Sequence, residues 1–262
     1  MDLNLELLNA IDSFVWGPPL LVLLVGTGIL LTLRLKFLQI FQLPKALGLI
    51  FKAQNKGNGD IDSFKALCTA LSATVGTGNI VGVATAIAAG GPGAIFWMWM
   101  AAFFGMATKY AEGLLAVKYR EVDSKGEIAG GPMFYIKNGM GPKFKWLGSL
   151  FAIFGILVAY FGIGTFAQVN SIVDITKMTI GLDPMWTALI LTILVAAITL
   201  GGLQSIASAA AKIVPAMAVI YFISTIGVLV YFADKVPAAI QTIVYSAFSG
   251  SAAAGGFLGA TV

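Results

Sequence analysis

A short run of glycine and polar residues interrupts an otherwise apolar stretch between residues 67 and 89. The interruption reads Gly76-Thr77-Gly78-Asn79, and two glycines followed by an asparagine are unfavourable in a helix interior. We therefore predict two half-helices that meet at an unwound joint. An unpaired amide or carbonyl is costly inside a bilayer, so such a joint is stable only where it is buried in protein or lines a cavity. The joint thus indicates a polar binding site.

The two half-helices would present complementary backbone groups at this joint. The first would offer free carbonyls at its C-terminal end, and the second would offer free amides at its N-terminal end. The oxygen atoms that suit a hard cation come from the carbonyls and side chains of one short segment: Ser72, Thr74, Val75, Thr77 and Asn79. The amides of Thr77 and Gly78 suit a carboxylate. An amino acid with a co-transported cation is the most economical pair of ligands, and secondary transporters hold such pairs at discontinuous helices.

The predicted coupling ion is sodium, and no other cofactor is expected. Residues 67–89 contain no Asp, Glu or His, and titratable groups are what a proton-coupled carrier normally uses in its core. Lys109 and Glu112 lie one helical turn apart in a later span, where we predict that they pair with each other. Neutral oxygens at the joint therefore favour sodium over protons.

Gln168 is a further candidate for the substrate pocket. Phe161, Gly164 and Gln168 recur at helical spacing, so Gln168 can face the same cavity as Gly164. Alternatively, Gln168 and the nearby Asn170 hydrogen-bond between helices and stabilise the bundle. The sequence leaves both interpretations open.

The composition predicts a polytopic membrane protein in contact with the lipid bilayer. Hydrophobic residues make up 58% of the 262-residue chain and charged residues 11%, well outside the usage of soluble proteins. Six spans are predicted, at about residues 18–35, 67–89, 94–117, 146–173, 185–200 and 213–232. The formal net charge is +4, but the basic residues fall mainly in two loops, which argues against a nucleic-acid partner. The chain has no His and one Cys, which argues against catalytic triads, zinc sites and an intramembrane enzyme.

The distribution of the basic residues predicts the orientation. With the N-terminus outside, Lys177 and Lys235 lie in outer loops and the other fourteen of the 16 Lys and Arg residues lie inside. Such a bias is a strong positive-inside signal. We therefore predict a multi-pass protein of the cell membrane with an extracellular N-terminus.

Four segments resemble the alanine or glycine:cation symporter family, also called sodium:alanine symporters. They are SATVGTGNIVGVATAIAAGGPGA (72–94), IFWMW (95–99), KYAEGLLAVKYR (109–120) and GGPMFYI (130–136). This family is similar in fold to the sodium-coupled amino-acid transporters built from two inverted five-helix repeats, with an extra helix before the first repeat. The resemblance implies an all-α, polytopic membrane helical bundle whose second span is discontinuous.

The resemblance also implies a division of the chain. Residues 1–61 would hold the extra transmembrane helix and a basic cytoplasmic loop, and residues 62–235 the first five-helix repeat. Residues 236–262 would form an extracellular segment rich in Gly, Ala and Ser or the start of another span. Family members are longer, so the second half of the transporter is expected to complete the site.

The segment VGTGN resembles the VGxGN of the neurotransmitter:sodium symporters, and this implies roles for single residues. The carbonyls of Ser72 and Val75 would hold sodium, and Asn79 matches a side-chain ligand of a second sodium in that more distant family. The amides of Thr77 and Gly78 would hold the substrate carboxylate. The carbonyl of Thr74 would hold the ammonium group of the substrate.

The implied function is sodium-coupled symport of alanine or glycine. The alternative is an ion channel or pore subunit with the joint as its filter, although the sequence shows neither rings of charge nor repeated filter loops.

Overall fold

Helices make up most of the part of the chain that the structure describes, which also includes one short hairpin. The computed structural model describes residues 2–15, 18–50, 61–122, 124, 126, 128–161, 165–249, 252, 255 and 256. Within these residues the helices are α1 (Asp2–Val15), α2 (Pro18–Arg34), α3 (Leu38–Phe41), α4 (Leu43–Ile50), α5 (Ser63–Thr74), α6 (Gly78–Gly90), α7 (Ala94–Lys118), α8 (Pro132–Gly139), α9 (Lys145–Phe161), α10 (Thr165–Ile180), α11 (Pro184–Thr199), α12 (Gly202–Tyr231) and α13 (Val236–Ser246). The strands are β1 (Glu121–Val122) and β2 (Ile128–Ala129). The predicted all-α class is confirmed.

Several apolar stretches have the length of membrane spans. Among the described residues, Ser63–Gly90, Pro142–Ile180 and Gly202–Tyr231 are long and apolar enough to cross a bilayer, and shorter apolar helices occupy Val22–Arg34 and Pro184–Thr199. Helix α7 has 25 residues, and its bounds match the predicted span at 94–117 to within one residue. These helices agree with a multi-pass membrane protein.

Two predicted spans have the wrong ends. The fourth, at 146–173, ended too early, because α10 continues to Ile180; charged residues on one helix face do not stop a helix. Instead Gly181 follows with φ +69°, and Asp183 caps α11 by accepting a hydrogen bond from Met185 N at 2.9 Å, as expected of helix-ending and helix-starting residues. The sixth, at 213–232, began too late, because the preceding Ala- and Ser-containing segment is already part of α12. The predicted face residue Gly164 lies outside the described residues.

The chain divides into two compact units. The first comprises Met1–Leu47, Val81–Lys118 and Lys235–Val262, and the second comprises Gly48–Ile80 and Tyr119–Asp234. The predicted boundaries after residues 61 and 235 separate the extra helix, the first repeat and the last segment of the chain. They do not describe compact units, and they stay a prediction.

Small residues permit close packing in the first unit. Helix α2 packs on α7, and a Cβ placed on Gly28 would lie 2.9 Å from Phe104 Cβ. The buried hydrophobic residues described in this unit are Ala86, Ala94, Ala107, Ala247 and Ala252. Packing through small side chains is typical of membrane helices, which gain little from burying large apolar groups away from lipid.

The aromatic cluster at the start of α7 has a packing role in the same unit. Trp97 Nε1 donates a hydrogen bond to the carbonyl of Ala247 at 2.6 Å. Phe96 packs against Phe248 with ring centroids 6.0 Å apart. These contacts fix the chain that follows α13 to α7.

In the second unit α5 packs on α12. Cys68 on α5 is buried together with Ala210 and Val214 on α12. This contact positions the end of α5, where the predicted joint begins.

The polar segment after α7 folds into a hairpin held to α8. Glu121 Oε1 accepts hydrogen bonds from Lys137 Nζ at 2.9 Å and from Asn138 Nδ2 at 2.8 Å. These two bonds, the one from Lys137 first, lower the pKa of the Glu121 carboxyl.

Candidate functional site

The second apolar stretch is broken where the sequence predicts. Helix α5 ends at Thr74, and Val75 has extended backbone angles, φ −96° and ψ 106°. Helix α6 begins at Gly78, so three residues separate the two helices. Val75 N still bonds to the Leu71 carbonyl at 2.7 Å, which completes the last turn of α5. The predicted unwound joint is therefore confirmed.

The joint lies near the middle of the 28-residue stretch Ser63–Gly90. Helix α5 has 12 residues and α6 has 13, which correspond to helices of roughly 18 and 20 Å. A hydrocarbon core is about 30 Å thick, so the break divides a span into two similar halves.

Backbone groups on both sides of the joint are open. Among the described residues, no hydrogen bond reaches the carbonyls of Ser72, Thr74 or Val75, and none leaves the amides of Thr77 or Gly78. Three acceptors thus lie at the C-terminal end of α5, where the helix carries partial negative charge. Two donors lie at the N-terminal end of α6, where the partial charge is positive. One short segment can therefore take a cation and a carboxylate.

The side chain of Asn79 closes the joint on itself. Asn79 Oδ1 accepts a hydrogen bond from Gly76 N at 3.0 Å, and Asn79 N donates to the Gly76 carbonyl at 3.2 Å. Asn79 is the second residue of α6, and its side chain reaches back to an amide that precedes the helix, as the acidic or amide side chain of a capping box does. The amide oxygen of Asn79 keeps a second lone pair, so its predicted role as a sodium ligand stays a prediction.

The hydroxyl groups near the joint have their protons engaged in α5. Ser72 Oγ donates to the Thr69 carbonyl at 2.7 Å, and Thr74 Oγ1 donates to the Ala70 carbonyl at 2.8 Å. Their oxygens can still accept or coordinate. The backbone of Ser72 and Thr74 therefore offers the more open groups.

The structure brings Gln168 of α10 to the joint. A Cβ placed on Gly76 would lie 3.2 Å from Gln168 Nε2 and 3.4 Å from Gln168 Cδ. The carboxamide thus lies over the glycine in the middle of the break, within the second unit. Gln168 itself is exposed, so its polar end is accessible beside the open backbone.

Every predicted site residue is described, and the structure places all of them together. The segment Ser72, Thr74, Val75, Thr77, Gly78 and Asn79 is contiguous, and Gln168 reaches it through Gly76. The sequence analysis missed Gly76 as a contact residue and the hydrogen bond from Gly76 N to the Asn79 side chain. A polar side chain in the first turn of a helix that can reach back to an amide before the helix is a local signal for such a bond.

Acidic clusters do not contribute to this site. Among the described residues, no group of three or more His, Cys, Asp or Glu side chains comes together. Lys109 and Glu112 form an ion pair at 2.9 Å, which confirms the predicted pairing. The oxygens that the described residues of the joint offer to a cation are neutral.

Comparisons with known proteins give consistent results. The family model described as "Sodium:alanine symporter family" matches residues 1–262. An uncharacterized transporter of Haemophilus influenzae is 58% identical over 98% of this chain and 56% of its own length. The sodium/alanine symporter AgcS of Methanococcus maripaludis is 52% identical over 98% of this chain and 57% of its own length. The amino-acid carrier protein AlsT of Bacillus subtilis is 36% identical over 98% of this chain and 54% of its own length. The chain thus spans about half the length of these relatives.

Proposed function

The chain belongs to the sodium:alanine symporter family, and we propose that it forms part of a sodium-coupled amino-acid carrier. In this proposal the chain holds substrate and ion at the break between α5 and α6. The observation that carries this proposal is the open backbone of the joint beside Gln168. A small zwitterion and a cation together match the two kinds of backbone group present there.

Each residue of the joint has a proposed role. The carbonyls of Ser72 and Val75 hold sodium, with Asn79 as a side-chain ligand of an ion. The amides of Thr77 and Gly78 bind the substrate carboxylate, as helix N-termini bind anions.

Two further groups complete the substrate side. The Thr74 carbonyl accepts a hydrogen bond from the substrate ammonium group. Gln168 lines the pocket beside Gly76, where its carboxamide can donate to or accept from the substrate.

The proposed substrate is a small neutral amino acid, alanine or glycine. One relative of this chain is named a sodium/alanine symporter, which supports alanine. Transport would proceed by alternating access, in which a helix bundle rocks around the joint. No covalent chemistry is involved.

The rest of the site, including the remaining sodium ligands, is proposed to come from the second half that the longer relatives contain.

The proposed location is the cell membrane, with the N-terminus outside. The positive-inside distribution of Lys and Arg supports this orientation.

Uptake of labelled alanine into proteoliposomes that contain the intact protein, measured with and without an inward sodium gradient, tests the function. We expect uptake that requires a sodium gradient and saturates with alanine. Ion current that persists without alanine would instead favour the channel, and absence of sodium-dependent uptake would refute symport.

A variant pair tests the role of Gln168. We expect Gln168→Leu to change alanine affinity or selectivity between side chains. Asn170→Leu on the same helix is the matched control, because the Asn170 carboxamide bonds to Asp174 at 3.1 Å and has no proposed substrate contact. Wild-type kinetics in Gln168→Leu would reduce Gln168 to a packing residue.

A further inference from the structure

Helix α1 carries an apolar face that none of the described residues of its unit covers. Leu7, Leu8, Ile11, Phe14 and Val15 recur at helical spacing, and each is between 51% and 68% exposed. At 100° per residue these five positions span an arc of about 120°. Large apolar side chains concentrated on one exposed arc mark an interaction surface.

The connection to α2 places this face at a membrane boundary. Helix α1 ends at Val15 and α2 begins at Pro18, which are joined by at most about 11 Å of extended chain. Helix α2 leads into the apolar segment Val22–Arg34, so its first residues lie where a span enters hydrocarbon. The two helices also pack on each other. The end of α1 is therefore held close to the level of the lipid headgroups.

The length and charge of α1 exclude a second crossing. The helix has 14 residues, or about 21 Å, while a span needs about 20 residues. Residues 1–15 include Asp2, Glu6 and Asp12 and no Lys or Arg. Glu6 is exposed and lies on the side of the helix opposite Ile11. A helix with these two faces lies on a bilayer rather than through it.

We propose that α1 is an interfacial helix that lies in the plane of the bilayer surface. Its apolar arc is buried at the boundary between headgroups and acyl chains, and Glu6 faces water. The partner is the lipid bilayer itself. Because the charges of α1 are acidic, its binding depends on apolar contact and not on attraction to anionic lipid.

Fluorescence quenching in proteoliposomes tests this placement in the intact protein. Ile11→Cys and Glu6→Cys are each prepared with Cys68→Ala, labelled with an environment-sensitive fluorophore and reconstituted into vesicles of phosphatidylcholine and phosphatidylethanolamine. We expect the label at Ile11 to be quenched by nitroxide-bearing lipid and shielded from iodide. We expect the label at Glu6 to be quenched by iodide. Phe14→Cys, on the same face as Ile11, should repeat the result for Ile11.

Three outcomes would overturn the proposal. Quenching of the Ile11 label by iodide to the same extent as the Glu6 label would place the apolar arc in water. Shielding of the Ile11 label from both quenchers would show that protein covers the arc, such as a second copy of the chain. Shallow and equal lipid quenching at both positions would show that α1 has no preferred face. Labelled variants are compared only where they elute in the same position as the unlabelled protein, so a misfolded variant is not scored.

Discussion

Replacing Asn79 with Ala tests whether the joint is held in shape by its own side chain. The change removes the side-chain oxygen that accepts a hydrogen bond from Gly76 N at 3.0 Å. The partly buried amide of Gly76 then has lost its acceptor. Losing such a partner costs about 1–3 kcal/mol. Because Asn79 is exposed and Gly76 is only partly buried, we expect the lower part of this range. About 1–1.4 kcal/mol corresponds to roughly 5- to 10-fold weaker alanine binding.

Isothermal titration of alanine into the intact purified protein measures this loss. The titration is repeated at rising sodium concentrations, up to saturation. If Asn79 caps the joint, the loss of alanine affinity persists at saturating sodium, because the backbone that binds the carboxylate is no longer fixed. If Asn79 acts only as a sodium ligand, saturating sodium restores the affinity for alanine.

Two further variants complete the experiment. Asn79→Asp keeps an oxygen that can accept from Gly76 N, so it should retain more alanine affinity at saturating sodium than Asn79→Ala. Asn170→Ala removes a carboxamide that bonds to an exposed side chain one turn along α10, and it should bind alanine like the wild type. Full recovery of Asn79→Ala by sodium, or equal effects of the changes at 79 and 170, would refute the capping argument.

Three other changes test packing and charge. Gly76→Ala places a Cβ 3.2 Å from Gln168 Nε2, so we expect weaker alanine binding. In a double-mutant cycle with Gln168→Ala, the loss of binding free energy in the double variant should be smaller than the sum of the two single losses. Additive losses would show that the carboxamide is not displaced. Gly93→Ala places a Cβ 2.3 Å from the backbone of the last residue of α13 and should destabilise the protein by about 1–3 kcal/mol. Its melting temperature in detergent should fall below that of Gly105→Ala, where nothing lies within 4 Å of the added Cβ; equal temperatures would contradict the contact. The pKa of Glu121 is lowered in the fold, so its stabilising effect is complete above the ordinary glutamate pKa of about 4.3 and is lost as the pH falls through the lower folded value. The protection factors of the β1 and β2 amides, which correct for the slower intrinsic exchange at low pH, should therefore fall at low pH in the wild type. In Glu121→Gln they should be small at every pH, and a pH profile like that of the wild type in this variant would contradict the role of Glu121.

The joint was predictable because its cause is local. Glycine and asparagine disfavour a helix interior wherever they occur, and the position of the break follows from Gly76 and Gly78 alone. The ion pair of Lys109 and Glu112 was predictable for a similar reason, since a spacing of three residues places both side chains on one helix face. Local causes leave a direct signal in the sequence.

The contact between Gly76 and Gln168 could not be derived in the same way. It depends on how α10 packs within its unit, and a single sequence carries no direct record of packing between distant helices. The spacing of Phe161, Gly164 and Gln168 did not decide between a pocket and a bundle contact, and Phe161 belongs to α9 whereas Gln168 belongs to α10. The ends of α10 and α12 were misplaced because hydrophobicity was used to set them, whereas backbone propensity and capping by Gly181 and Asp183 decide where helices stop and start.

Helix α1 was missed for another reason. Leu7, Leu8 and Ile11 follow the helical period, but the segment is too short and too acidic to be predicted as a membrane span. The hairpin of β1 and β2 has only two residues in each strand, which is too short for an alternating pattern to be recognised. Its position is fixed by bonds from α8 to Glu121, and those are tertiary contacts.

The chemistry of the proposed site follows from the way one helix ends and the next begins. The C-terminal end of α5 and the N-terminal end of α6 are separated by three residues, and each end carries about half an elementary charge of opposite sign. A cation at the first end and a carboxylate at the second would lie close enough to attract each other, and each would also lower the cost of desolvating the other. Binding of sodium and of an amino acid would then be coupled through the backbone itself. On this proposal, a span without any Asp, Glu or His between residues 67 and 89 would hold a charged pair through backbone groups that the break at Gly76 and Gly78 leaves open.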